Sequence, residues 1–391
     1  LGGKLMTRSP VDEVHLSRIV IFVIIFFILP ASSCSGRARN IILMVPDGMG
    51  LANVTAARIS KHGSNPLPLS FETLDQIGYQ RTFATGGVIT DSAAAASAWA
   101  CGEKFSNGEV CYHRDGRPYQ PNILELAMKS GRSTGLVATE AITDATPAAF
   151  GAHVPFRRCW KEIARQYIEE SHVSVLLGGG KALLTAQEAD PCGTAGDLLR
   201  LAQERGYRVV ADRKELEKAV EEGATKLLGL FSDHTLTPEY IRKPESAEPR
   251  LREMATAALR VLEQNEAGFF LLIEGSLVDR ANHENNFPYQ VGEVLAFDEA
   301  VAVVRAWVDQ DPKRKAETLL IVVPDHETGG FAITGPFSTG KDADGEVETA
   351  WTGKKHTGVD TIIWSSGPGS ERLGRAIDNT DLYGIMADAL K

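Results

Sequence analysis

Six apolar runs, each broken at its end by an acid or a glycine turn, constrain this chain more than any other feature. Residues 40–45 run into Pro46-Asp47-Gly48-Met49-Gly50, and residues 135–139 run into Glu140. Residues 173–177 lead into Gly178-Gly179-Gly180, and 269–273 into Glu274-Gly275. Residues 319–323 lead into Pro324-Asp325-His326, and 361–364 into Ser365-Ser366-Gly367. Runs without polar alternation are strands buried on both faces, the condition of a parallel sheet covered by helices. Helical patterns stand between them at 122–130, 160–170, 195–206, 250–265, 291–308 and 381–390. The alternation predicts an α/β fold, a three-layer α/β/α sandwich with a central, mostly parallel sheet. A chain of 391 residues is long enough to bury such a core, and its 37 glycines suit many strand–helix turns. The charge-rich stretches 214–228 and 238–249 read as a solvated helix and a surface connection, and 338–349 as an exposed loop. No Gly-Lys-Ser/Thr follows Gly178–Gly180, so that stretch reads as a structural turn.

In open α/β sheets, ligands bind outside the carboxyl ends of the strands. Asp47, Glu274, Asp325 and His326 all fall there. Downstream of Glu274, Asp279 and His283 are spaced i, i+4, which sets both on one helical face where they can share a metal. Lys355-His356-Thr357-Gly358 adds a histidine in a glycine turn. Three histidines among paired carboxylates suit Zn²⁺, whereas Asp144 and Thr146 offer hard oxygens suited to Mg²⁺. Thr90-Asp91-Ser92-Ala93-Ala94 opens an alanine-rich helix. A serine in its first turn sits beside free N–H groups and the positive dipole end, where an anion binds. Taken alone, Ser92 reads as the N-cap of an alanine-rich core helix, and the acid and histidine clusters around it reverse that reading. Arg157-Arg158 supplies the guanidinium that a phosphoryl group rewards. The net charge of −10 argues against nucleic acid and leaves metals and an arginine to neutralise a phosphate ester.

Lys4, Arg8 and Arg18 precede the apolar run 19–29, which is followed by Pro30-Ala31-Ser32-Ser33-Cys34. Basic flank, short apolar run and small residues predict a secretory signal over 1–34, with residues 35–391 forming the catalytic domain. The run is shorter than the ~20 residues of a membrane span. Cys34 also matches a lipoprotein cleavage site, giving attachment to a membrane by a lipid, although Ala31 stands where leucine is usual. Met6 offers an alternative start. The remaining Cys101, Cys111, Cys159 and Cys192 allow two disulfides in three pairings.

VPDGMG, TDSAAAASAWACG, DATPAAFGAHV, EGSLVDRANH, PDHETGG and HTG follow one another in this order from Val45 to Gly358. Together they resemble the alkaline phosphatase family, over nearly the whole mature chain. The resemblance implies an exported enzyme of the periplasm or cell surface that hydrolyses phosphate monoesters through a phosphoserine at Ser92. It implies two Zn²⁺, one held by Asp279, His283 and His356 and one by Asp47, Asp325 and His326 beside Ser92. One Mg²⁺ would be held by Asp47, Thr146 and Glu274, with Asp144 close by through water. Arg157 would grip the phosphoryl oxygens, and activity would rise with pH. A homodimer is expected on the same ground. Asp144 replaces the histidine of many relatives and favours Mg²⁺ over a third zinc. Arg280 stands where relatives carry Lys, His or Trp and would reach the phosphate through water, altering affinity or product release. A Cys101–Cys159 disulfide would echo the animal members, and Cys159–Cys192 the enterobacterial ones. A phosphodiesterase or sulfatase on the same scaffold, or a non-catalytic metal- or phosphate-binding protein, are the alternatives.

Overall fold

A computed structural model describes residues 37–63, 67–335 and 347–391. The expected signal segment, Cys34 and most of the expected loop at 338–349 lie outside the described residues. The strands are β1 (Asn40–Pro46), β2 (Gln76–Arg81), β3 (Ser133–Ala141), β4 (Val175–Gly179), β5 (Arg208–Val210), β6 (Leu227–Leu230) and β7 (Phe269–Gly275). They continue with β8 (Thr318–Val322), β9 (Glu327–Thr328), β10 (Phe331–Gly335), β11 (Glu348–Trp351), β12 (His356–Thr357), β13 (Thr361–Ser366) and β14 (Ala376–Asp378). Among the described residues, ten of these form one sheet in the order β14-β2-β13-β8-β1-β7-β3-β4-β6-β5. Every pairing in it is parallel except those of β13, which runs against both β8 and β2. All six apolar runs are strands of this sheet.

Along β1 the pleat sends Ile41, Leu43 and Val45 to one face and Ile42 and Met44 to the other, all fully buried. Each such side chain contributes roughly 1.5–3 kcal/mol relative to leaving it in water. The first face is covered by helices Ser92–Cys101, Ile123–Lys129, Ala145–Gly151, Trp160–Glu169 and Asp381–Leu390. The second is covered by Leu51–His62, Leu251–Leu262 and Phe287–Asp309. The three-layer sandwich is therefore present. Among the described residues no helix is long and apolar enough to cross a membrane.

Three expectations need correction. The stretch 214–228 is not all solvated helix: helix Arg213–Glu221 ends and the buried strand β6 begins inside it. The connection at 238–249 is not wholly superficial, since the Arg242 side chain is buried and donates to the carbonyls of Thr237 and Pro249. Of the two bridges the resemblance implied, Cys159–Cys192 is present and Cys101–Cys159 is not, because Cys101 pairs with Cys111. Cys111 lies against the Ser92–Cys101 helix, where its N–H donates to Ser97 Oγ.

Candidate active site and metal centre

Four adjacent strands, β8, β1, β7 and β3, deliver their carboxyl ends to one place. Asp47 follows β1, Glu274 ends β7, Asp325 and His326 follow β8, and Asp144 follows β3. Close approach depends on Gly48, whose φ of +69° is left-handed. A Cβ there would lie 2.7 Å from Asp279 Oδ1 and 2.8 Å from Asp279 Cα.

Helix Ser92–Cys101 is buried along its entire length, which its alanines permit by letting neighbouring backbones come close. Asp91, not Ser92, is the N-cap: its Oδ1 accepts from Ala94 N at 2.9 Å, placing Ser92 at the first helical position. The helix is anchored by Trp99, whose indole N–H donates to Gln80 Oε1 at 2.8 Å. Gln80 in turn donates to the Pro324 carbonyl at 2.9 Å, so the serine helix and the Asp325-His326 turn are fixed to one another. Ser92 Oγ then lies 3.3 Å from His326 Nε2.

Two acid–histidine clusters meet at this point. Asp47, Asp325 and His326 bring ligand atoms within 4.8 Å of one another, and so do Asp279, His326 and His356. His326 Nε2 is 3.1 Å from Asp325 Oδ2 and 3.7 Å from Asp47 Oδ1. His283 Nε2 sits 3.2 Å from Asp279 Oδ2, and His356 Nε2 3.6 Å from Asp279 Oδ1. Carbonyls fix both rings from behind: His283 Nδ1 donates to Lys354 O and His356 Nδ1 to Thr90 O at 2.9 Å. That tautomer leaves each Nε2 lone pair facing Asp279. The expected groupings are thus brought together, except that His326 lies between them, its ring stacked 3.6 Å from that of His356.

The donor set fits divalent cations. Asp47 Oδ1, Asp325 Oδ2, Glu274 Oε1 and Thr146 Oγ1 are buried without a hydrogen-bond partner, an arrangement that is costly without a ligand. Burial, then repulsion from Asp325, Asp279 and Glu274, pushes the Asp47 carboxyl well up. Burial and the Asp144 charge push Glu274 up to about 8. Burial works against Asp279, but His283, His326 and His356 hold it well below the usual carboxylate range. Burial pushes His326 down, favouring the neutral imidazole that a metal needs. Imidazoles with carboxylates suit Zn²⁺, and the oxygens of Asp47, Glu274 and Thr146 suit Mg²⁺.

Arg157 comes from a loop 66 residues beyond Asp91, yet its Nη1 donates to Asp91 Oδ2 at 3.2 Å and its Nη2 to Asp144 Oδ2 at 3.0 Å. Asp144 thus holds the arginine in this structure. Arg280 lines the same cleft as Ser92 and Arg157 and is forked by Glu140. Asp91 and Glu140 are site residues whose roles spacing does not reveal. Asp91 was visible only as the acid before the serine, and Glu140 only as a strand end.

The chain matches the alkaline phosphatase family model over residues 38–345. It belongs to the alkaline phosphatase family. It is 38% identical over 346 residues to the repressible alkaline phosphatase of Saccharomyces cerevisiae, covering 81% of this chain and 60% of the yeast protein. It is 32% identical to the Escherichia coli alkaline phosphatase, covering 90% of this chain and 86% of that one. Streptomycin-6-phosphate phosphatase of Streptomyces griseus is also 32% identical, covering 90% of each chain. The Thermus thermophilus alkaline phosphatase superposes with a TM-score of 0.79 at 27% identity, covering 91% of this chain and 92% of that one. A His-to-Asp mutant of the enzyme from the Antarctic bacterium TAB5, with Mg bound in its M3 site, gives a TM-score of 0.77 at 26% identity, covering 91% and 98%.

Proposed function

We propose that this chain is an exported, metal-dependent alkaline phosphatase that hydrolyses phosphate monoesters through a phosphoserine at Ser92. The observation that carries the proposal is the position of Ser92 Oγ, 3.3 Å from His326 Nε2 at the meeting of two acid–histidine clusters with the donor spacing of cation sites. Asp279, His283 and His356 would hold one Zn²⁺, and Asp47, Asp325 and His326 the other. Glu274, Thr146 and Asp47 would hold Mg²⁺, with Asp144 near it. The Mg²⁺ bound by the TAB5 mutant, in which Asp replaces His, supports magnesium beside an aspartate. When bound, these ions would supply Lewis-acid stabilisation of the oxygens on which charge develops.

The protein groups do the rest. Ser92, fixed at the start of a packed helix, presents its oxygen in line with the bound phosphorus. The N–H groups of that helix turn and the Arg157 guanidinium meet the equatorial phosphoryl oxygens. Asp91 and Asp144 orient the guanidinium, so little freedom is lost when phosphate binds. Export by the N-terminal segment, lipidation of Cys34 and a homodimer belong to the same proposal.

A substrate panel tests it. Metal-loaded protein is expected to hydrolyse a chromogenic phosphate monoester faster at alkaline than at neutral pH. It should be far slower on a phosphodiester or sulfate ester, and lose activity on chelation until Zn²⁺ and Mg²⁺ return. Faster turnover of the diester or the sulfate would replace the monoesterase reading by those activities. Metal-loaded protein inert to all three would replace it by a binding role.

A further inference from the structure

The cleft wall contains a second carboxylate–guanidinium pair besides that of Arg157. Glu140, at the end of β3, is nine per cent exposed, and its backbone N–H donates to Ser276 Oγ at 3.2 Å. Ser276 donates onward to Glu274 Oε2 at 2.8 Å, which ties Glu140 to the end of β7. Its backbone is therefore held, and its burial against the cleft wall restricts where the carboxylate can sit. Arg280, by contrast, is an exposed side chain at the mouth of the cleft, half of it open to water.

The contact between them is specific in geometry. Arg280 Nε donates to Glu140 Oε2 and Arg280 Nη2 to Glu140 Oε1, both at 2.7 Å. A fork made through Nε and Nη2 fixes the plane of the guanidinium as well as its position. Among the described residues Arg280 Nη1 makes no hydrogen bond, so its two donors remain for an anion in the cleft shared with Ser92 and Arg157. Without Glu140, a long side chain half in solvent has many rotamers, with Asp144 and Glu284 on the same cleft as rival acceptors.

We propose that Glu140 is a positioning residue that locks Arg280 in the orientation from which Nη1 binds the phosphate held at Ser92, and so sets the affinity for substrate and product. This rests on the monoesterase reading of the site. Two effects oppose each other when Glu140 is altered. Removing a negative charge near the cleft strengthens anion binding generally, while losing the fork disorders the guanidinium. At a half-exposed arginine solvent screens the first effect, so the second prevails.

Glu140→Asp separates the two, because it keeps the charge but withdraws the carboxylate by one methylene and breaks the fork. Inorganic phosphate is titrated calorimetrically into metal-loaded wild type, Glu140→Asp, Glu140→Gln, Arg280→Ala and the Glu140→Gln/Arg280→Ala double variant. KM and kcat are measured on a phosphate monoester alongside. The expected result is phosphate affinity about tenfold weaker in Glu140→Asp and in Glu140→Gln, one charge-assisted hydrogen bond at 1.4 kcal/mol per decade. KM should rise more than kcat falls, and Glu140→Gln should add nothing once Arg280 is alanine. Unchanged affinity in Glu140→Asp, or tighter binding in Glu140→Gln, would overturn the positioning role. So would equal losses from Glu140→Gln with and without Arg280. The exposed Arg280→Ala variant reads the same affinity if a Glu140 variant does not fold, and wild-type affinity there overturns the proposal too. Wild type that neither binds phosphate nor hydrolyses the ester defeats the functional reading itself.

Discussion

Glu293→Gln offers a worked test of how this fold tolerates a buried acid. Glu293 lies on helix Phe287–Asp309, four per cent exposed, and its Oε1 accepts from Glu239 N at 2.7 Å. Burial pushes its carboxyl up to about 8; the hydrogen bond from the Glu239 N–H opposes the shift, the Glu239 charge adds to it, and Arg242 opposes it. An acid whose folded-state pKa is raised stays protonated in the native protein while it ionises in the unfolded chain. Unfolding then releases a proton between about 4.5 and 8, so stability falls as pH rises across that window and levels off above it. Moving the carboxyl from 4.5 to about 8 sets a ceiling near 5 kcal/mol, of which water penetration leaves a fraction. Glutamine keeps an acceptor oxygen for the Glu239 N–H and cannot ionise. Denaturant unfolding of wild type and Glu293→Gln at pH 5, 7 and 9, with Zn²⁺ and Mg²⁺ saturating, isolates the effect of this carboxyl as a difference. The two proteins should be nearly equal at pH 5, and the variant more stable by 2–5 kcal/mol at pH 9, again as an order of magnitude. A difference that does not change with pH, or a variant that loses ground at pH 9, would refute the reasoning.

Further outcomes follow from the site and its supports. Gly48→Ala places a Cβ 2.8 Å from Asp279 Cα, a backbone clash that no rotamer relieves. Metal affinity measured by competition with a chelating dye should fall on the order of 10–100-fold, with activity following it. Arg157→Lys keeps the charge but loses the fork to phosphate and to Asp91 and Asp144. Its kcat/KM on a monoester should fall roughly 10–100-fold with melting temperature nearly unchanged. Replacing both Cys159 and Cys192 by serine opens a 33-residue loop and should cost about 3–4 kcal/mol by chemical denaturation.

The parts of the fold legible in the sequence were those where burial on both faces leaves an unbroken apolar run, as in β1, β7 and β8. β2, with its exposed Ile77 and Tyr79 alternating with buried Gly78 and Gln80, carried no such run. β6 is four residues set in a charge-rich stretch, and β5 and β14 are three residues each, too short for a pattern to register. Asp47, Glu274, Asp325 and His326 were legible because they sit at or just past strand ends, where the fold concentrates ligands, and Asp279 and His283 because i, i+4 spacing shares one helix face. The pairs Asp91–Arg157 and Glu140–Arg280 were not, because the partners stand 66 and 140 residues apart and only the folded sheet joins them. The Cys101–Cys111 bridge was among the pairings the sequence allowed, and the turn of the chain past the serine helix selects it.

In the proposed reaction Ser92 carries the phosphoryl group. Metal-loaded protein turning over a phosphate monoester, quenched in acid within one turnover and digested, should yield the Ser92 peptide phosphorylated by mass spectrometry. Ser92→Ala should yield no such adduct and lose activity by orders of magnitude. Steady hydrolysis with Ser92 unmodified in the wild type, and undiminished in Ser92→Ala, would contradict the account.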